Sequence, residues 1–226
     1  MKATATSETP ERRVPKVELT GVTTATRTPG SPWVTLLIFL AIAAFNPEVL
    51  TGATPAEKYL TPFNLLLTVP FYGLQVAVIA DLAARYRLRW KTVYYLGLIY
   101  GILEEGFAVQ TMLHPSGVGN VNVPPMLTRI LGLDVAWAVY IDVFHSVVSV
   151  VSTIIIIKLI WPSRVSEPFL RKKQYAVIVP ILVAVYAAII IFVVGATRYI
   201  PEAGALVVLA LACASLGYLA VRNQRK

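Results

Sequence analysis

Four ionisable side chains lie in stretches of this sequence that are otherwise apolar. Two are the adjacent glutamates Glu104 and Glu105, and two are Asp142 and His145, which stand three residues apart. Carboxylates and an imidazole can together bind a divalent metal ion, or His145 can act as a base that activates water. Such groups can also carry protons or bind a cation in a transporter. A third interpretation is structural, with protonated carboxyl groups that only hydrogen-bond one helix to another.

The depth of these groups depends on the helices that carry them. If residues 92–113 and 134–161 form antiparallel helices, a rise of 1.5 Å per residue sets the depths. Glu104 then lies about 14 Å from the end of its helix at residue 113. Asp142 and His145 lie about 12 Å and 16 Å from the start of theirs at residue 134, on the same side of the membrane. The acidic groups and the imidazole are therefore expected at one level inside the membrane.

The facing of the glutamates follows from a turn of about 100° per residue. Glu104 shares a narrow stripe with Gly97 and Gly101, and a small-residue pair with this spacing lets two helices approach closely. Glu104 is therefore predicted to point into a close helix contact. Glu105 is turned about 100° away, so that it either flanks the same cavity or faces another helix.

Polar residues also mark one face of the segment 134–161. Asp142, His145 and Ser149 lie within an arc of about 120°, and the opposite side is Val and Ile. This pattern is typical of a helix face that lines an interior or a cavity. In an earlier apolar segment, Gln75 reaches a similar depth, and we expect it to support the same site.

The composition is that of a membrane protein. Of the 226 residues, 57% are hydrophobic and 14% are charged, whereas a soluble domain carries about 25% charged residues. The net charge of +8 does not indicate nucleic-acid binding, because the basic residues lie between the apolar runs, as membrane topology requires. The one cysteine, Cys213, excludes a disulfide within the chain and a cysteine-based zinc site.

Six apolar segments are long enough, or nearly so, to cross a bilayer. Residues 1–32 are rich in Thr, Pro and charge and are predicted to be a disordered cytoplasmic tail. The remaining residues, 33–226, are predicted to form one six-helix transmembrane domain. Its helices are expected at about 33–50, 62–84, 92–113, 134–161, 175–196 and 203–221.

The distribution of Lys and Arg orients these segments. Loops on the cytoplasmic side of a membrane protein carry an excess of basic residues. With six spans, 17 of the 20 Lys and Arg residues fall on one side, and only Lys58, Arg129 and Arg198 fall on the other. The alternation holds across all six spans, which predicts that both termini are cytoplasmic.

Two stretches resemble a known family. Residues 101–115 (GILEEGFAVQTMLHP) and 134–150 (DVAWAVYIDVFHSVVSV) look like part of an uncharacterised family of multi-span prokaryotic membrane proteins. The resemblance implies that these two helices form a unit, and it implies no activity.

A second resemblance is to the CAAX-protease and bacteriocin-processing family of intramembrane glutamate proteases. That family has paired glutamates on one helix, then an arginine, and histidines on later helices. Glu104 and Glu105 match the pair, and His145 follows at a suitable distance. The sequence departs from the family where Val109 replaces the arginine and where no histidine follows His145.

The sequence therefore predicts an all-α, multi-pass protein of the cell membrane. Its predicted function is to bind or transport a small ligand or cation at a polar site inside the bilayer. The alternatives are an intramembrane hydrolase, with or without a metal, and a structural membrane subunit. Besides the bilayer, the expected partners are a small ligand or cation, a divalent metal as cofactor, and further copies of the chain through small-residue helix faces.

The predicted site residues differ in the role that each function would give them. Hydrolysis would use Glu104, Glu105 and His145, and a metal ion would be bound by Glu104 and His145. Ligand or ion binding would involve Glu104, Glu105, Asp142, His145, Gln75 and Ser149.

Overall fold

A computed structural model describes residues 31–115 and 129–225. Most of these residues are helical, and the only strands among them form one short hairpin. We number the helices in chain order: α1 Pro32–Leu50, α2 Ala56–Tyr59, α3 Asn64–Arg85, α4 Trp90–Gly101 with its π-helical continuation Ile102–Ala108, α5 Val135–Ile160, α6 Pro162–Val165, α7 Lys172–Thr197 and α8 Ala203–Arg225. The hairpin pairs β1 Arg129–Ile130 with β2 Leu133–Asp134.

The predicted all-α membrane fold is confirmed. In the described part of the chain, five helices are long and apolar enough to cross a membrane, namely α1, α3, α5, α7 and α8. The third predicted segment forms α4, which carries three charged residues, Lys91, Glu104 and Glu105. The predicted tail, residues 1–32, lies outside the described residues except for its last two.

Contacts at the two ends show how α4 runs through the bundle. At its start, the backbone N–H of Arg89 donates to the side-chain oxygen of Gln224 at the end of α8. Beyond its other end, the carbonyl oxygen of Leu113 accepts from the hydroxyl of Tyr199, which precedes α8, at 2.9 Å. Between these points α4 packs against α3, α5, α7 and α8. It therefore runs from one end of the bundle to the other, antiparallel to α8.

The two ends of the bundle differ in charge. We call one the basic end, because α3 ends there with Arg85 and α4 begins there after Arg87 and Arg89. We call the other the hairpin end, because the β1–β2 hairpin there leads into α5.

The end predicted for the third helix, 92–113, is wrong. Helix α4 stops at Ala108, because Gln110 adopts a left-handed backbone conformation with φ of 65°, which ends a right-handed helix. The chain then folds into a buried turn. The N–H of Asp134 bonds the carbonyl of Met112 at 2.9 Å, which ties this turn to the start of α5.

Four long helices contain π-helical turns, where hydrogen bonds reach from residue i to i+5. These are Asn46–Leu50 in α1, Asn64–Thr68 in α3, Ile102–Ala108 in α4 and His145–Ser152 in α5. The side-chain amide of Asn46 supports the α5 segment, since it donates to the carbonyl of Val148 at 2.8 Å and contacts the Ser152 and Thr153 hydroxyls. Such turns are frequent at functional sites.

A buried carboxylate fixes the basic end. Asp81 of α3 is fully buried. One of its oxygens accepts from the backbone N–H groups of Phe169 and Leu170, both at 2.7 Å. The other accepts from Arg85 at 2.8 Å and from the hydroxyl of Tyr175 at 2.9 Å. These bonds attach the connection between α6 and α7 to α3.

Replacing this carboxylate is expected to destabilise the protein. We expect Asp81→Asn to lower the free energy of unfolding by about 1.5–3 kcal/mol, the contribution of a hydrogen bond to a charged group, because the carboxylate is buried although its partner Arg85 is exposed. The new amide can keep its oxygen toward the backbone N–H groups, but its NH₂ group then faces the guanidinium of Arg85. Unfolding in mixed detergent micelles measures the change, with Glu57→Gln on the exposed face of α2 as a control. Equal stability of the two variants would contradict the assignment.

Candidate functional site

Two glycines bring α4 and α5 into close contact. A Cβ on Gly97 would lie 2.8 Å from the Cα atom of Ser146, and one on Gly101 would lie 2.7 Å from a carboxylate oxygen of Asp142. Real Cβ atoms do not approach other atoms so closely, so only glycine fits at these positions without movement. The close helix contact predicted from the Gly97–Gly101 spacing is confirmed, and it places Glu104 beside His145.

His145 lies between two glutamates. Its Nε2 atom is 3.1 Å from Oε1 of Glu105, and its Nδ1 atom is 3.5 Å from Oε2 of Glu104. The Nδ1 atom is also 3.0 Å from the hydroxyl of Ser149, one helical turn further along α5. All four residues are buried. The structure thus brings Glu104, Glu105, His145 and Ser149 together in one cluster.

The π-helical turn of α4 explains why both glutamates reach the imidazole. On a regular α-helix Glu105 would be turned about 100° from Glu104. A π turn contains more residues than an α turn, so adjacent residues lie closer together in angle. Of the two positions that the sequence leaves open for Glu105, the structure shows the one beside the same cavity.

Two further hydrogen bonds hold Glu105 in place. The hydroxyl of Thr111 donates to Oε2 of Glu105, and the indole N–H of Trp137 donates to that Thr111 hydroxyl at 3.1 Å. Thr111 belongs to the buried turn after α4, and Trp137 lies in the first turn of α5. The position of Glu105 therefore depends on the early end of α4.

Aromatic rings surround the imidazole. The ring centroids of Tyr72, Tyr100 and Phe144 lie 5.9, 5.6 and 5.5 Å from that of His145. Tyr72 comes from α3, so three long helices contribute to the site. The rings shield His145 from the lipid, and in surroundings of low polarity charged groups interact more strongly than in water.

Two polar atoms at the cluster lack a hydrogen bond of good geometry. Within residues 31–115 and 129–225, Oε2 of Glu104 and the hydroxyl of Tyr100 are buried without a hydrogen bond of good geometry. Oε2 of Glu104 lies 3.5 Å from Nδ1 of His145, and the Tyr100 hydroxyl interacts with the Glu104 carboxylate. A buried polar atom without a partner costs about 1–3 kcal/mol. These atoms are available to a ligand that enters the cluster.

Asp142 and Gln75 lie beside the cluster rather than in it. Asp142 is half-buried, and its Oδ1 atom, which has no hydrogen bond among the described residues, lies against Gly101. The amide of Gln75 donates to the carbonyl of Phe71 at 2.7 Å and accepts from the hydroxyl of Tyr186 at 2.6 Å. Both side chains are therefore neighbours of the cluster, and neither extends the set that converges on His145.

The geometry of the cluster matches that of a metal site. One ligand atom from each of Glu104, Glu105 and His145 lies within 4.8 Å of the other two. Two carboxylates and one imidazole are donors that suit zinc, manganese, iron and cobalt. Three protein ligands leave a further coordination position open, as in catalytic metal sites.

A comparison with known protein families identifies the family to which the chain is related. Residues 37–220 match the model of a family described as an uncharacterized membrane protein family. The chain belongs to this family. The match covers every residue of the cluster and agrees with the resemblance that residues 101–115 and 134–150 show. This match gives no support to the resemblance to the CAAX-protease and bacteriocin-processing family.

Two further comparisons give no relatives of this family member. No curated protein matches the chain, and no solved structure does.

Glu48 is a residue near the site that the sequence did not indicate. It lies within the first predicted apolar segment, residues 33–50. In the structure its Oε1 atom accepts from the hydroxyl of Tyr72 at 2.8 Å, and Tyr72 packs against His145. The signal that the sequence offered for Glu48 was a carboxylate near the end of a predicted span.

Proposed function

We propose that this membrane protein binds a divalent transition-metal ion between α4 and α5. The observation that supports the proposal is the convergence of Glu104, Glu105 and His145 in one buried cluster. A regular α-helix would not aim adjacent glutamates at one point, and the π turn of α4 does so. The Oε2 atom of Glu104, which lies 3.5 Å from Nδ1 of His145, supplies one of the donor atoms.

Charge supports the same proposal. Burying a carboxylate in a medium of low polarity is costly unless it is paired. Two carboxylates and a neutral imidazole carry a charge of –2, which one divalent cation cancels. Without a cation, His145 and a shared proton would have to balance both glutamates. A bound metal ion satisfies all three groups together.

We further propose that the protein crosses the cell membrane six times, with α4 as the additional span. Helix α4 runs the full length of the bundle, since it starts beside Gln224 and its following turn lies beside Tyr199. Six spans put Arg85, Arg87 and Arg89 on the same side as the C-terminus. The excess of basic residues on that side supports cytoplasmic termini, with the hairpin end outside.

Metal binding can be tested directly with Co²⁺, whose visible absorption reports the number and type of its ligands. We expect the purified protein in detergent micelles to bind one Co²⁺ ion per chain in a site of low coordination number. Asp142→Asn is the matched control, since Asp142 lies one turn from His145 and outside the converging set. Binding that is lost in Asp142→Asn, or no binding by the parent protein, would overturn the proposal.

A second candidate function is hydrolysis of a substrate inside the bilayer. It is favoured by a groove of about 500 Å³ between α3, α4 and α7, lined among others by Gln75, Leu103, Val183 and Tyr186. Val183 is largely exposed, so the groove opens toward lipid, and Leu103 adjoins Glu104. His145 and Glu105 can take a proton from water. Release of acid from a fluorogenic lipid ester that depends on His145 would support this candidate.

A further inference from the structure

We propose that Asn46 of α1 is a positioning residue for the metal site. Its side-chain amide holds the π-helical turn of α5, and this turn sets the rotation at which His145 meets Glu104 and Glu105. The inference rests on the proposed metal binding. It gives a role in the site to a helix that carries none of the metal ligands.

Helix α5 is held by different partners on the two sides of its π-helical turn. Where the turn begins, α5 lies against α4, and the hydroxyl of Ser146 donates to the carbonyl of Tyr94 at 2.7 Å. After the turn, Ile154 and Ile157 are buried, and α5 packs there against α1 and α3. The turn therefore sets how the half that carries His145 is rotated relative to the half that is anchored on α1 and α3.

Where the π-helical turn ends, a backbone carbonyl takes hydrogen bonds from side chains. With i to i+5 spacing, the carbonyl of Val148 would accept from the N–H of Thr153. That N–H bonds the carbonyl of Val150 instead. The Val148 carbonyl accepts from the amide of Asn46 at 2.8 Å and from the hydroxyl of Ser152 at 2.6 Å. Because a backbone group without a partner is costly inside a bilayer, these donors stabilise the π-helical turn.

The surroundings of Asn46 direct its amide to this turn. Asn46 is buried and begins the π-helical turn of α1, which packs against that of α5. Its NH₂ group also lies 2.8 Å from the hydroxyl of Ser152 and 3.0 Å from that of Thr153. A buried amide is costly unless it is hydrogen-bonded. Its contacts therefore all lie where α5 returns to α-helical spacing.

Loss of the π-helical turn would rotate His145 out of the cluster. A π turn contains more residues than an α turn, and one residue corresponds to a rotation of about 100°. The half of α5 after the turn is anchored in the core, so the half before it would rotate. The Nε2 atom of His145, which lies 3.1 Å from Oε1 of Glu105, would then leave the glutamates. Asn46 thus acts on the site through α5 and does not bind the ion itself.

Co²⁺ binding tests this role with Asn46→Leu, which keeps the size and branching of the side chain and removes its donors. We expect the affinity to fall by about 10- to 100-fold, as loss of an outer-shell partner does, and the visible spectrum to lose the contribution of the nitrogen ligand. Unchanged affinity and spectrum would overturn the inference.

The matched control is Asn64→Leu. Asn64 also begins a π-helical turn, in α3, and its amide donates to a backbone carbonyl, that of Lys58, at 2.6 Å in an exposed hydrogen bond. We expect the affinity and spectrum of the parent protein in this variant. The same loss in both variants would overturn the inference, because it would not depend on the turn of α5.

A second measurement needs no metal ion. His114→Gln leaves His145 as the one histidine of the chain, so nitrogen-15 NMR of labelled histidine in detergent micelles reports only its ring. The two ring nitrogens contact Ser149 and Glu105. We expect Asn46→Leu to shift both resonances and the control to leave them unchanged. Resonances that stay in place in Asn46→Leu would contradict the positioning role.

Ser152→Ala keeps the inference testable if Asn46→Leu does not fold. It removes the other side-chain donor to the Val148 carbonyl and leaves a methyl group that suits the bilayer. We expect the same two resonances to shift in the same direction by a smaller amount, and no shift would overturn the inference. If the parent protein binds no Co²⁺, the proposed function fails, and the nitrogen resonances alone decide whether Asn46 positions His145.

Discussion

His145→Gln is expected to lower the affinity for Co²⁺ by more than about a hundredfold. The substitution removes the only nitrogen ligand of the cluster and leaves two carboxylates that the imidazole no longer separates. Loss of an outer-shell partner of a metal ligand costs about 10- to 100-fold in affinity, so loss of the ligand itself should cost more. Equilibrium dialysis with Co²⁺ measures the affinity, and the visible spectrum shows whether residual ions occupy the same site.

Two variants control this result. The chain has two histidines, and His114→Gln removes the other one, which lies outside the cluster against Tyr199. We expect no change there. Ser149→Ala removes the hydroxyl beside Nδ1 of His145 and should cost about tenfold, as an outer-shell change does. If His114→Gln reduces binding as much as His145→Gln, the ion is bound elsewhere.

Gly97→Ala is expected to destabilise the protein, because the added methyl group meets the backbone of α5. The new Cβ would lie 2.8 Å from the Cα atom of Ser146, and a backbone atom cannot move aside as a flexible side chain can. Overpacking of this kind costs about 1–3 kcal/mol of stability. Because α4 and α5 would separate, we expect Co²⁺ affinity to fall as well.

The matched control is Gly217→Ala in α8. A Cβ on Gly217 meets nothing within 4 Å, and alanine is favoured over glycine in a helix by about 1 kcal/mol. We therefore expect unchanged or slightly higher thermal stability in detergent. Similar losses in both variants would show that the α4–α5 contact is not the reason for the sensitivity of Gly97.

Much of this arrangement is readable in the sequence, because a membrane makes apolar length and helical spacing strong signals. The spacing of Gly97, Gly101 and Glu104 predicted the close helix contact. The equal depth of Glu104 and His145 predicted their meeting. The segment 134–161 matches α5 within one residue at each end.

The remaining features depend on local backbone geometry that periodicity cannot show. The 100° rule assumes a regular α-helix, so it could not place Glu105, which a π turn brings beside Glu104. The left-handed Gln110 ends α4 five residues before the predicted end. Glu48 lies on a helix distant in sequence from the cluster, and only the tertiary contact with Tyr72 connects it to His145.

The π turns also make the site depend on chain length as much as on residue identity. A π turn is equivalent to one residue inserted into an α-helix. Deleting Leu103 would return this part of α4 to regular spacing, with both glutamates retained. The two carboxylates would then diverge, and Glu105 would rotate away from the imidazole. A relative of this protein could therefore keep every residue of the cluster and still lack the site, if its helix were one residue shorter.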